Sequence, residues 1–359
     1  MRRDWWMCAA VLVLAVFGFL LQVRLAGNVP GLSGLAPLLT GLFGGIAAAA
    51  ACGGGRAERF LTGKGKWIAF GVAAALMAAL LVFGRRYRGG LYLPGRINPS
   101  ELVKLCLAAF LAGWMGKPGR TVKGLALCAA LFLMVAASGD FGLLAQLAIT
   151  VAALLWAASW YWGGAAFLLL AGGIALAAAY PSGHLATRFA VWRDPFGDVT
   201  GAGWQTLQGL TAILSGGLTG TGFGLGEVQT VPIVASDFVY AAVAEELGLA
   251  GCMTILALWA FVFARGICTA VRRAADAPAE ALLATGIVAS LAVQLVLNVA
   301  GVLNALPMTG ITLPLISLGG SSQATVLLMC GVLAGVSGVR AGSRLRASKN
   351  SKESTGAKK

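Results

Sequence analysis

The chain has 359 residues, of which 58% are hydrophobic and only 11% are charged, and its formal net charge is +14. Soluble domains carry about 25% charged residues, so this composition excludes a soluble globule. Apolar runs of about 17–25 residues, the length that crosses a bilayer as a helix, recur along the chain. The alternation of about ten residues that marks the strands of a transmembrane barrel is not found in the sequence. The sequence therefore predicts an all-α membrane protein.

The apolar runs predict about ten transmembrane helices. One long external loop, residues 181–237, separates the seventh helix from the eighth. Residues 1–338 form a single transmembrane domain in this interpretation, and residues 339–359 form a basic, disordered cytoplasmic tail. The predicted helices cover residues 5–25, 34–52, 67–84, 99–115, 122–138, 140–159, 164–180, 238–264, 280–304 and 315–338.

The basic residues give these helices an orientation. Most of the 27 lysines and arginines fall in the connections that share a side with the N-terminus, and in the tail. The positive-inside rule therefore places both termini in the cytoplasm and the long loop outside. The tail can also contact anionic membrane lipids, although a role limited to solubility and topology is the simpler interpretation.

A minority of the basic residues lie on the outer side or at membrane depth. Positive charge on that side opposes insertion, so we interpret it as a site for an external anion such as a phosphate or pyrophosphate. Loop arginines without a ligand are the alternative. The residues concerned are Arg24, Arg85, Arg86, Arg88, Arg96, Lys104, Arg188 and Arg193.

Most of the thirteen acidic residues lie on the same outer side. Ionisable groups at membrane depth are costly and mark functional sites by default. The set comprises Glu101, Asp140, Asp194, Asp198, Glu227, Asp237, Glu245 and Glu246.

Two motifs in the first half of the chain carry candidate chemistry. Glu101 and Lys104 are three residues apart on one helix face and can pair, either as a structural ion pair or with Lys104 facing a pyrophosphate. Asp140 follows Ser138-Gly139 at a break between two apolar runs. It is either a helix cap or part of an external polar cavity.

The long loop carries a glycine-dense run, residues 216–226, and then the sequence Ser236-Asp237-Phe238. The glycines either let the backbone approach a bulky ligand or form a flexible loop, and no dinucleotide-binding pattern fits them. Asp237 stands where the loop meets an apolar helix. Partial desolvation there would make it a better base, although an aspartate at a helix start is also an ordinary cap.

The last motif breaks an apolar pattern near the outer face. Residues 306–322 contain two prolines and three glycines and follow Asn298 and Asn304. Non-helical backbone at membrane depth survives only when it is buried in protein or lines a cavity. We therefore expect this segment to lie inside the protein.

In this order, the motifs resemble the SEDS family (shape, elongation, division and sporulation), the RodA/FtsW/SpoVE group, over about residues 90–337. The matching stretches are Pro99-Ser100-Glu101-Leu102-Val103-Lys104, Arg188 with Asp194-Pro195, Trp204-Gln205, Ser236-Asp237-Phe238, Glu245 to Gly248, and Pro307 to Ser321.

The resemblance implies a ten-helix fold in a bacterial cytoplasmic membrane and a peptidoglycan glycosyltransferase that polymerises lipid II, the undecaprenyl-pyrophosphate-linked disaccharide peptide. It implies a class B penicillin-binding protein, a transpeptidase, as partner, and no nucleic acid. Asp237 matches the family's essential aspartate, and we expect it to be catalytic. The residues expected to bind substrate are Glu101, Lys104, Asp140, Arg188, Arg193, Gln205, Glu245 and Ser317.

In the reaction so implied, Asp237 deprotonates an acceptor hydroxyl, and Lys104, Arg188 and Arg193 stabilise the leaving pyrophosphate. A divalent cation (Mg²⁺ or Mn²⁺) between the pyrophosphate and Asp140 stays open, although no metal-ligand spacing supports it. A flippase for the same lipid-linked precursor is the main alternative, and a non-enzymatic scaffold is the third.

Overall fold

The computed structural model describes residues 4–25, 32–87, 90–94, 98–116, 121–179, 184–201 and 203–338. Within these ranges the chain is almost wholly helical, with one short antiparallel ribbon of β1 (Arg85–Tyr87) and β2 (Gly90–Tyr92). The α-helices are α1 (Trp5–Leu25), α2 (Leu32–Cys52), α3 (Arg56–Phe60), α4 (Lys66–Phe83), α5 (Ser100–Met115), α6 (Thr121–Ser138), α7 (Phe141–Ala157), α8 (Tyr161–Ala179), α9 (His184–Arg193), α10 (Trp204–Gly216), α11 (Val239–Arg273), α12 (Pro278–Val302) and α13 (Gly320–Ser337).

Several of these helices are long and apolar enough to cross a membrane, which confirms the predicted fold class. In the described ranges five stretches satisfy both length and composition: Trp5–Leu25, Ala36–Phe83, Val239–Arg273, Pro278–Val302 and Gly320–Ser337. Shorter apolar helices cover Lys123–Ser138, Phe141–Ala157 and Tyr161–Ala175. Each of the ten predicted helices overlaps one helix of the structure.

The boundaries differ from the prediction in three places. The segment predicted as an external loop contains α9 and α10, because these short helices of 10 and 13 residues carry no long apolar run. The eighth predicted helix continues to Arg273 in α11, and the tenth begins at Gly320 instead of residue 315. Leu315 has a left-handed φ of +63°, which interrupts any helix there. Arg88, Arg96 and the tail lie outside the described residues.

Helix α1 runs antiparallel to α11, and an ion pair joins the two helices at each end. Asp4 Oδ2 lies 2.5 Å from Arg265 Nε, and Arg24 Nε lies 3.3 Å from Glu246 Oε1. At about 1.5 Å rise per residue, the twenty residues between Asp4 and Arg24 separate the pairs by about 30 Å, close to a bilayer core. We name the two faces of the bundle the Asp4 end and the Arg24 end.

At the Asp4 end, two helices cap each other. Glu280 donates its backbone N–H to Glu58 Oε2 (2.8 Å), and Glu58 donates its own to Glu280 Oε1 (3.1 Å). Arg273 Nε lies 3.6 Å from Glu280 Oε2 and balances part of the charge. Because each carboxylate meets a helix N-terminus, the pair ties α3 to α12.

Helix α11 is interrupted at Gly248, whose backbone angles are φ +66° and ψ −166°. Just after the interruption, the N–H groups of Leu249 and Ala250 have no helical partners. They donate to the carbonyls of Gly217 and Leu218, at 3.0 and 3.1 Å. The partners come from residues 216–226, which we call the glycine loop.

The glycine loop also forms hydrogen bonds with the residues before the interruption. The carbonyls of Glu245 and Glu246 accept hydrogen bonds from the N–H groups of Thr221 and Gly222, at 2.8 and 3.0 Å. Buried backbone groups must be hydrogen-bonded, and the loop replaces the bonds that the helix loses. The close backbone approach expected of these glycines is therefore an approach to α11.

We expect Gly220→Ala to destabilise the protein by at least about 2 kcal/mol, because φ is +81° and a Cβ would lie 2.3 Å from the Glu246 carbonyl oxygen. Thermal unfolding of the detergent-purified protein measures this. Gly172→Ala in α8 is the control, since nothing lies within 4 Å of its Cβ position. Equal unfolding temperatures for the two variants would contradict the role given to the glycine loop.

Candidate functional site

The centre of the site is the ammonium group of Lys104, which is 1% exposed. It lies 2.6 Å from Glu101 Oε2 and donates to Gln294 Oε1 at 3.0 Å and to Gln146 Oε1 at 3.3 Å. The predicted pairing of Glu101 with Lys104 is confirmed. A buried charge is tolerated only with partners of this kind, and three acceptors match the three donors of an ammonium.

The two amides extend this contact into a closed network. Gln146 Nε2 donates to the Ser290 carbonyl at 2.9 Å, and Gln294 Nε2 donates to the Thr312 carbonyl at 3.1 Å. The Thr312 and Ser322 hydroxyls are 2.9 Å apart, and the Ser322 hydroxyl donates to Glu101 Oε2 at 3.3 Å. The network joins α5, α7, α12 and α13 to the irregular backbone between the last two helices.

Gln146, Ser290 and Gln294 were not predicted as site residues. Each of them is a single polar residue in a long apolar helix. Its polarity at membrane depth is the one feature of the sequence that could have marked it as a site residue. In the described contacts every donor of Lys104 points to protein. The proposed contact between Lys104 and a pyrophosphate therefore stays a prediction, and the geometry favours Glu101, which is partly exposed, as the member of the pair that faces outward.

Asp140 caps α7, as one of its two interpretations proposed. Its Oδ1 accepts a hydrogen bond from the Leu143 N–H at 2.9 Å. Burial raises the pKa of the Asp140 carboxyl, the Leu143 hydrogen bond opposes that rise, and the nearby Glu101 adds to it. The positive charges of Lys104 and Arg188 lower the pKa in turn, so Asp140 lies within electrostatic range of both.

Asp237 lies immediately before α11 and is half-buried. Phe238 occupies the N-cap position of that helix and makes no side-chain cap hydrogen bond. The capping interpretation of Asp237 stays a prediction. The side-chain amide of Asn298, itself 1% exposed, donates to the Asp237 carbonyl at 3.0 Å and to the Ile311 carbonyl at 2.7 Å. Asn298 thus fixes the backbone of Asp237 against the segment that follows α12.

Arg188 of α9 is exposed and contacts the same segment after α12. Its Nη1 donates to the Thr309 carbonyl at 3.2 Å. A Cβ on Gly310 would lie 3.8 Å from Asp237 Oδ2 and 3.9 Å from Arg188 Nη2, so the carboxylate and the guanidinium flank Gly310 together. Gly310 has a φ of +75° and keeps the space between them free of a side chain.

Ser317 and Gln205 hold the backbone that leads to Asp237. The Ser317 hydroxyl donates to the Ser236 carbonyl at 2.5 Å, and Gln205 Nε2 donates to the Pro232 carbonyl at 3.3 Å. Both contacts are internal to the protein. Their predicted contact with substrate stays a prediction.

Arg193 lies at the end of α9, and Glu245 lies within α11. Arg193 is exposed and lines an open groove of about 770 Å³ together with Phe189, Trp192 and Asn304. Glu245 is buried two turns along α11, and its Oε1 accepts a hydrogen bond from the Glu227 N–H at 2.8 Å. The structure thus brings Glu101, Lys104 and Asp140 together, and it places Asp237 and Arg188 next to Gly310.

The chain matches known proteins over most of its length. A family model described as a cell cycle protein, FtsW/RodA/SpoVE, covers residues 88–341. A probable peptidoglycan glycosyltransferase FtsW of Halomonas elongata is 34% identical over 285 residues, which are 73% of this chain and 71% of that protein. Stage V sporulation protein E of Bacillus subtilis is 33% identical, over 67% of this chain and 68% of that protein.

A third relative matches more strongly over a shorter stretch. The peptidoglycan glycosyltransferase RodA of Mycobacterium tuberculosis is 42% identical over 154 residues, which are 43% of this chain and 32% of that protein. The match to this relative therefore spans about a third of the relative's length.

Solved structures share the fold. A chain from a peptidoglycan synthase complex, studied for its coordination of polymerization and crosslinking, superposes with a TM-score of 0.73 and 26% identity, covering 94% of this chain and 98% of that chain. The RodA of Thermus thermophilus gives 0.65 and 26%, over 94% of this chain and 97% of that chain.

We expect Lys104→Met to destabilise the protein by about 3–5 kcal/mol, because it removes one partner of a buried ion pair and the ammonium donor of two amide oxygens. Chemical unfolding in detergent measures the change. Adding Glu101→Gln removes the unpaired charge, so the double variant should recover part of the loss. A Lys104→Met protein as stable as the wild type would show that the network does not contribute this free energy of unfolding.

Proposed function

The chain belongs to the FtsW/RodA/SpoVE family of cell cycle proteins, and from this premise we propose that it is a peptidoglycan glycosyltransferase that polymerises lipid II at the outer face of the bacterial cytoplasmic membrane. The observation that carries the proposal is that Asp237 Oδ2 and Arg188 Nη2 both lie within 4 Å of the Cβ position of Gly310. A half-buried carboxylate and an exposed guanidinium there supply a base and an anion partner. The role is cell elongation, division or sporulation, as in the relatives' names.

In the proposed reaction, Asp237 acts on the acceptor substrate and Arg188 acts on the donor substrate. An acceptor sugar hydroxyl attacks the anomeric carbon of the donor, forming the new glycosidic bond as the bond to the pyrophosphate oxygen breaks. Asp237 takes the hydroxyl proton as general base, a role worth about 10²–10⁴ in rate. Arg188 stabilises the negative charge that develops on the leaving pyrophosphate, and direct displacement inverts the anomeric centre.

The described residues include no group of three His, Cys, Asp or Glu side chains arranged to hold a metal ion. A Mg²⁺ or Mn²⁺ ion between the pyrophosphate and Asp140 stays a prediction. Every step above is assigned to side chains of the chain itself.

The Arg24 end is the outer face in this proposal, and the Asp4 end is the cytoplasmic face. Ten helices, α1, α2, α4 to α8 and α11 to α13, cross the membrane, and both termini are cytoplasmic. The basic residues at the Asp4 end support this orientation through the positive-inside rule. They include Arg56, Arg59, Lys64, Arg265 and Arg272.

The partner we propose is a class B penicillin-binding protein. The support is the structural neighbour, which comes from a complex that coordinates polymerization with crosslinking. Crosslinking is transpeptidase chemistry, so a polymerase of this fold is expected to work beside a transpeptidase.

We expect Asp237→Asn to lower glycan polymerisation in detergent by at least about 10²-fold, because the amide keeps the size of the side chain but cannot take a proton. The assay converts purified lipid II to glycan strands, with or without the transpeptidase. Asp198→Asn, an exposed acid of the same external segment, is the control and should keep its rate.

This experiment also separates the polymerase from a flippase. A flippase has no membrane to act across in detergent and would yield no polymer from the wild type. If the wild type is active and Asp237→Asn keeps most of the rate, another group is the base.

Orientation can be measured by thiol labelling of intact cells, in a variant without the native cysteines. We expect Phe196→Cys to react with an impermeant reagent, because Phe196 is 72% exposed in the segment after α9. Asp276→Cys, in the exposed turn between α11 and α12, should be protected until the cells are opened. The reverse pattern would contradict the orientation.

A further inference from the structure

The first helix lies outside the residues that match the family model, yet its last turn reaches the segment that precedes Asp237. Arg24 is near the end of α1, and its Nε lies 3.3 Å from Oε1 of Glu246. The side chain of Glu246 is 0% exposed, and that of Arg24 is 23% exposed. A buried carboxylate of this kind requires a cation, so the contact is specific to a charged partner.

The same guanidinium also holds the glycine loop. Arg24 Nη2 donates to the carbonyl of Gly224 at 2.9 Å and to that of Gly226 at 3.2 Å. One side chain therefore joins three elements: α1, the glycine loop, and the part of α11 that precedes the interruption at Gly248. The forked, planar arginine fits this task, whereas a lysine offers a single point charge.

The glycine loop is connected to Asp237 by two routes. Along the chain it continues through residues 227–236, and the Glu227 N–H is bound by Glu245 Oε1. Through space, the loop bonds to both sides of the interruption in α11 and so holds residues 239–247, which follow Asp237 directly. The Gly248 conformation separates this segment from the rest of α11, so these contacts act together with the burial of residues 239–246 in fixing its position.

We propose that Arg24 is a positioning residue for the glycosyltransferase reaction, which sets the place of Asp237 through Glu246 and the glycine loop. This inference rests on the proposed function. Arg24 acts at a distance, since Glu246 lies about two turns, or about 11 Å, beyond the start of α11, and Asp237 precedes that start. Small displacements of a reacting group are enough for a large effect, because a shift of about 1 Å can cost about 10²-fold in rate.

The test compares Arg24→Ala with Arg265→Ala, a matched control that removes the other ion pair between the same two helices. In the full-length protein in detergent, hydrogen exchange at residues 216–227 and 239–247 should rise in Arg24→Ala and stay unchanged in Arg265→Ala. With lipid II, kcat of Arg24→Ala should fall about 10- to 100-fold while KM changes less than about twofold. Arg24→Lys should recover part of kcat.

Unchanged exchange in Arg24→Ala would overturn the link between α1 and the loop. Raised exchange with an unchanged kcat would overturn the positioning role, and an equal loss of kcat in Arg265→Ala would assign the effect to general packing of α1. If Arg24→Ala does not accumulate, Glu246→Gln breaks the same pair without an unpaired buried charge and is read by the same criteria. A wild type that makes no polymer would refute the proposed function, and the exchange measurement would still decide whether the link exists.

Discussion

The structure depends on one requirement, that non-helical backbone inside an apolar bundle must find hydrogen-bond partners. The segment between α12 and α13 is irregular, and polar side chains from several helices bind its carbonyls. Gln22 of α1 donates to the carbonyls of Ile316 and Ser317, at 3.0 and 3.1 Å. Gln294 and Asn298 of α12 donate to the carbonyls of Thr312 and Ile311. The side chains that stabilise this segment also build the site, because Asn298 holds the backbone of Asp237 with the same amide group.

The same requirement explains why Lys104 is so deeply enclosed. Gln294 uses its oxygen for the ammonium of Lys104 and its nitrogen for the Thr312 carbonyl, so one amide couples the buried charge to the irregular segment. A fully satisfied polar network of this kind is rigid, and a partly satisfied one is costly. Lys104 is therefore the structural centre of the site. Arg188, which is exposed and touches only a backbone carbonyl in the described contacts, is better placed to meet an anion from outside.

Much of this arrangement was predictable from local patterns. The helices follow from the lengths of the apolar runs, the Glu101–Lys104 pair follows from a spacing of three, and the buried, irregular segment after Asn298 follows from its prolines and glycines. The chain's own sequence does not reveal which distant groups meet. The contact of Lys104 with Gln146 and Gln294 and the hydrogen bonds between α11 and the glycine loop each join residues far apart in the chain. Short helices such as α9 and α10 also escape a search for apolar runs.

The interruption at Gly248 divides α11 into two parts with different surroundings. The part after Gly248 is an apolar helix with many exposed side chains. The part before Gly248 follows Asp237, and its residues 239–246 are buried. It is also held by polar contacts with the glycine loop and the Arg24 guanidinium, and the Asn298 amide binds the Asp237 carbonyl. Because hydrogen bonds and ion pairs are directional, they place a carboxylate more sharply than apolar packing does. If Asp237 is the base, as we propose, its position is set by polar contacts from α1, α12 and the glycine loop, and it is thereby coupled to the arrangement of the Arg24 end of the bundle.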